Sequence, residues 1–149
     1  MNKLYLLVAG AITCFLFYGV AAHADEADQY TKLTFSKSVE IPGQILPAGT
    51  YIFKLANRDD LNMVQIFNAD GTRVYATLQT NPTERMEPTG NITVTLAEQP
   101  DGGPAALLKW FYPGNTIGHE FLYSRQEKQQ LAQSRQQTIP VKETAESGD

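Results

Sequence analysis

Five aromatic rings fall within fourteen residues, in Trp110-Phe111-Tyr112 and then Phe121 and Tyr123. On a strand, Trp110 and Tyr112 share one face and Phe111 takes the other. Two uses are open to such a set. One face fills a core while the other caps an edge, or a ring pair faces solvent as a platform for a sugar ring, a peptide or another apolar surface. A second segment, Asn81-Pro82-Thr83-Glu84-Arg85-Met86-Glu87-Pro88, is bracketed by prolines and sets Arg85 between Glu84 and Glu87. Loops at the rim of a β scaffold often carry binding residues. The structural alternative is an ordered connector with Arg85 paired to a carboxylate. The third candidate is His119-Glu120, read either as a functional pair or as neighbours on opposite faces of a strand. The binding candidates are therefore Trp110, Tyr112, Tyr123, Glu84, Arg85 and His119.

Other chemistries lack their residues. The chain holds two histidines, His23 and His119, and one cysteine, Cys14. A zinc or copper site of imidazole or thiolate ligands is short of donors, so no metal and no cofactor is assigned. Asn68-Ala69-Asp70-Gly71 has the start of a calcium loop without its further acidic positions or closing Glu. Ser36, Ser38, Ser124, Ser134 and Ser147 sit in no Gly-x-Ser-x-Gly, and a Ser-His-Asp set must draw on His119. Carboxylate pairs can be taken from Glu84, Glu87, Glu98 and Glu120, as from any acidic β protein. No catalytic residue is assigned.

The elements that must position these residues read as strand after strand. Lys32–Ser36 alternates, and Val39 and Ile41 repeat that period up to Pro42-Gly43. Gly49–Ala56 puts Tyr51, Phe53 and Leu55 on one side. Met63–Asn68 and Arg73–Thr80 flank Ala69-Asp70-Gly71-Thr72, a strong hairpin signal. Asn91–Glu98 sets Ile92, Val94 and Leu96 against Thr93 and Thr95. Ala106–Tyr112 and Gly118–Tyr123 flank Pro113-Gly114-Asn115. This predicts an all-β fold, an antiparallel β-sandwich or small β-barrel of about eight short strands. A lipid-facing barrel is rejected, because its strands need ~9–11 residues with an apolar band. Ser124-Arg125-Gln126-Glu127 has capping-box spacing, which opens a short polar helix over 124–137. Thr138-Ile139-Pro140-Val141 is extended and suited to a sheet edge. Lys142–Asp149 is small, polar and charged, and disorder is expected there.

The first 24 residues read as an export signal. Lys3 precedes an uncharged run, Leu4–Val20, and Ala22-His23-Ala24 supplies the small-x-small cleavage pattern. The run is longer than the ~7–15 residues of a usual signal core and shorter than the ~20 of a spanning helix. Membrane contact is therefore expected only if this segment stays uncleaved. Cleavage leaves 149 less 24, or 125, residues, enough for one all-β domain over 25–123 with the helix and tail behind it. Cys14 departs with the signal, so no disulfide is expected. Lys3 departs too, and 11 basic residues then face 16 acidic ones, a balance of −5. That weak acidity, with no run of Lys or Arg, argues against nucleic acid as a partner.

Val39-Glu40-Ile41-Pro42-Gly43, Leu46-Pro47-Ala48-Gly49-Thr50-Tyr51, Val64-Gln65-Ile66-Phe67-Asn68, Tyr75-Ala76-Thr77 and Trp110-Phe111-Tyr112-Pro113-Gly114 together are informative. Over most of residues 30–125 the chain resembles a group of small exported bacterial proteins of unknown function. The resemblance implies export, a bacterial source and an all-β fold. It carries no activity and no catalytic residues.

The leading expectation is a periplasmic or secreted, non-catalytic β domain that binds or builds part of the cell envelope, with an envelope protein or polysaccharide as partner. One alternative is a carbohydrate-binding module using Trp110 and Tyr112. Another is a small hydrolase or isomerase using Glu84, Glu120 or His119.

Overall fold

The computed structural model describes residues 28–141. The expected export signal and the expected disorder of Lys142–Asp149 lie outside the described residues. Ten strands and one helix follow in order: β1 Thr31–Phe35, β2 Val39–Ile41, β3 Gln44–Leu46, β4 Gly49–Asn57, β5 Asp60–Asn68, β6 Val74–Glu84, β7 Ile92–Ala97, β8 Ala105–Phe111, β9 Ile117–Phe121, α1 Arg125–Ala132 and β10 Gln136–Val141. The all-β body is as the alternation predicts, and the short C-terminal helix as the capping-box spacing does. The two strands beyond the expected eight are β3, which returns beside β2 after Pro42-Gly43, and β10.

The strands make one open, sandwich-like mixed sheet. β1, β4, β5 and β6 pair antiparallel in that order. β6 is long enough to serve twice. Its first part, up to Gln79, pairs with β5, and Thr80–Glu84 pairs with β9. β9 continues to β8, β8 to β7 and β7 to β10, all antiparallel. Among the described residues the one parallel pairing is short: Val39 and Glu40 of β2 beside Ala105 and Ala106 of β8. It makes the sheet mixed, where a purely antiparallel one was expected.

The core follows from the alternation. Tyr51, Phe53 and Leu55 of β4 point inward with Val64 and Ile66 of β5, Ile92 and Val94 of β7 and Trp110 of β8. Phe53 meets Trp110 and Phe121 edge-on, at centroid distances of 5.7 and 6.5 Å, a favoured arrangement of ring quadrupoles. The β5–β6 hairpin turns at Asp70-Gly71, where Gly71 has φ 74°. Asn68 Oδ1 accepts from Arg73 N and Asp70 Oδ1 from Thr72 N, which close the turn.

Helix α1 has the predicted capping box, Ser124 with Glu127. It stops at Ala132, short of the expected 137, because Gln136 already begins β10. Leu131 is its one buried residue. It packs with Ala97 and Ala106, covering part of the outer face of β7 and β8. β7 is thus buried on both faces, and Thr93 and Thr95, on the side opposite Ile92 and Val94, are 7% and 6% exposed.

Candidate functional site

The six residues singled out by type do not converge on one site. Trp110 is 0% exposed. It sits on central strand β8 and faces the core, so a solvent-facing platform is not built from it. Phe111 is buried as well, and Tyr112, just past the strand end, is half-buried. Trp110 fills the core, and Phe111 on the opposite face is covered too.

What covers it is Arg85. Its guanidinium lies over the Phe111 ring, 4.8 Å from the centroid. Nε donates to Asn115 O at 2.8 Å, Nη1 to Thr93 Oγ1 at 2.9 Å and Thr89 Oγ1 at 3.2 Å, and Nη2 to Tyr112 O at 3.2 Å. The partners are carbonyls and hydroxyls, not the carboxylate that Glu84 or Glu87 offered. Glu84 ends β6 with its side chain exposed, its register partner being Ile117. Arg85 therefore clamps the β6–β7 link onto the β8–β9 turn. A planar fork with several fixed donors suits this task.

His119 stacks on Trp110 at 5.0 Å with 26° between ring planes. Gln29 Oε1 accepts from Nε2 at 2.7 Å, and Nδ1 lies 3.4 Å from Thr80 Oγ1. Burial pulls the imidazole pKa down to about 4, against the opposing pull of a hydrogen bond to the Leu61 backbone. The ring is neutral at pH 7 and joins β9 to β6 and to the chain before β1. Among the described residues no cluster of three or more His, Cys, Asp or Glu side chains comes together.

Tyr123 is anchored elsewhere. Its hydroxyl lies 2.8 Å from Leu107 O and 3.2 Å from Glu40 O, across the parallel β2–β8 junction. Burial, then Glu40 and Glu127, push its pKa well above the usual phenol range. A hydroxyl held between two carbonyls is a strut, with no tendency to ionise.

One groove lies where no candidate was placed. A groove of about 1000 Å³ opens between the end of β1 and strand β10. Phe35, Val39 and Val141 form its buried wall, and Leu96 and Ile139 are half-buried in it. The β7–β8 link, at Gly102, Gly103 and Pro104, forms one rim, and Ser36, Lys37 and Ser38 of the β1–β2 link form another. Among the described residues Lys37 is the single charged one of the lining. The groove exists because the sheet does not close: β1 pairs with β4 alone and β10 with β7 alone among the described strands. Its volume is at the upper end of the ~300–1,000 Å³ usual for ligand sites. The sequence signal that bore on it was Thr138-Ile139-Pro140-Val141, an extended segment suited to a sheet edge.

Comparison with protein-family models, with curated proteins and with solved structures finds no match. Among the described residues no helix is long and apolar enough to cross a membrane.

Proposed function

We propose that this chain is an exported, non-catalytic β domain of the cell envelope that binds its partner in the groove between β1 and β10. The observation that carries the reading is the groove itself, a concave and mostly apolar surface of ligand-binding size. The reading is further supported by how the chemistry-bearing side chains are engaged. Arg85, His119 and Tyr123 are each held by two or more protein groups, and Trp110 is core. The export half of the reading rests on Leu4–Val20 and Ala22-His23-Ala24, and on the resemblance to exported bacterial proteins.

Two measurements test it. N-terminal sequencing of the protein recovered from its host's envelope should begin at Asp25; an intact Met1 in the cytoplasmic fraction would remove the export half. Hydrogen exchange of the purified protein, with and without envelope extract, should gain protection in segments 34–39, 102–105 and 139–141. Protection gained only elsewhere, or nowhere, would remove the groove as the binding surface.

A further inference from the structure

We infer that the groove holds a long-chain carboxylate, its hydrocarbon against Phe35, Val39, Leu96, Ile139 and Val141 and its acid group beside Lys37; this rests on the groove-binding reading above.

The wall favours hydrocarbon. Its side chains are alkyl and phenyl groups, which recognise a ligand by the apolar surface they remove from water, at about 0.8 kcal/mol per buried methylene. The rim favours an anion of low charge. Among the described residues Lys37 brings the one charge of the lining and no acidic residue joins it, and Ser36 and Ser38, its chain neighbours, line the groove with it. A lysine between two serines matches a monoanion. A phosphate monoester usually calls on more cations or on the bidentate fork of arginine. A cationic head finds no counter-charge among the described residues of the lining.

An extended peptide is the competing occupant, and β10 argues against it. Strand addition draws its affinity from main-chain hydrogen bonds along a free edge. Pro140 lies on that edge and lines the groove without an N–H to offer. Proline on an edge strand blunts pairing. An acyl chain needs no main-chain partner, so the same proline serves it as wall.

The test is titration of the purified protein with octanoate, decanoate and dodecanoate below their micelle concentrations, followed by calorimetry and amide NMR shifts. The shifts should concentrate at residues 35–39, 102–105 and 139–141. Affinity should rise by up to about fourfold per added methylene until the groove is filled. Lys37→Gln, a change at an exposed position, should weaken decanoate roughly threefold, as for an exposed ion pair, and leave decanol unchanged. Equal loss for decanoate and decanol would overturn the assignment of the acid group. Groove amides that ignore every carboxylate, yet move with an apolar peptide or with protein concentration as a second copy docks, would overturn the carboxylate and leave the groove-binding reading standing. Groove amides that move with no ligand and no envelope extract would remove both.

Discussion

At the scale of single residues, the side chains with the most chemical promise are spent on structure. Trp110 touches Phe53 and His119 and exposes nothing, and its Nε1 has no hydrogen-bond partner among the described residues. Trp110→Ala should cost about 3–5 kcal/mol, the range for emptying a buried aromatic site. Urea unfolding checks this. A variant that stays as stable as the parent would show that the ring is not core. His119 makes a pH prediction. Its pKa is near 4 when folded, below the ordinary 6.5 it regains on unfolding. Above pH 6.5 both states hold a neutral ring and the residue adds no pH dependence. As pH falls from 6.5 to about 4, the unfolded state takes up a proton that the folded state refuses, so stability is lost; below 4 the loss levels off. The span of the shift sets an upper figure of about 3 kcal/mol. His119→Phe keeps a ring on Trp110 and removes the titration. The slope of unfolding free energy against pH between 6.5 and 5 should flatten in it, and an unchanged slope would assign that dependence to other groups.

At the scale of elements, β9 can lie against β8 only because one residue has no side chain. A Cβ on Gly118 would come within 2.4 Å of Phe111 Cδ1 and 2.7 Å of Trp110 O. The first contact is with a ring already held under Arg85, so it has little room to yield. Gly118→Ala should destabilise by about 1–3 kcal/mol, as overpacking does. It should also raise hydrogen exchange in 112–121 before the rest of the sheet. Exchange that rises evenly across all strands would indicate that this approach is not a local constraint. The same logic explains α1. Its eight residues bury Leu131 alone, so the capping box and that one contact hold it on the sheet.

At the scale of the whole molecule, β6 carries the argument. It pairs with β5 over its first part and β9 over its second, so the strands on either side share one core. A single core predicts one cooperative transition. The chain has one tryptophan, and it lies in that core. Its fluorescence and the far-ultraviolet circular dichroism should therefore fall together in urea. Two separated transitions would mean that the β1–β4–β5 side and the β7–β8–β9 side unfold independently.

Local physics made much of this legible in the chain alone. Period-two alternation over Gly49–Ala56 and Asn91–Glu98, Asp70-Gly71 between two β-rich runs, and Ser124 three residues before Glu127 each act within a few residues, so they can be read without a fold. The proposed compartment rests on the same kind of local pattern, since an export signal is recognised as linear sequence. Alternation says that a strand has two faces, however, and not what covers each. Thr93 and Thr95 are buried because β7 came to lie under Arg85, β10 and α1. Arg85 found its partners at Thr93, Tyr112 and Asn115, and His119 found Gln29 ninety positions away. The groove is the extreme case. It is the gap left where β1 and β10 fail to pair, and a gap between distant segments has no local pattern to announce it. Only the tertiary arrangement, which sets the register of non-local strands, decided that Phe35, Lys37 and Ile139 would line one surface.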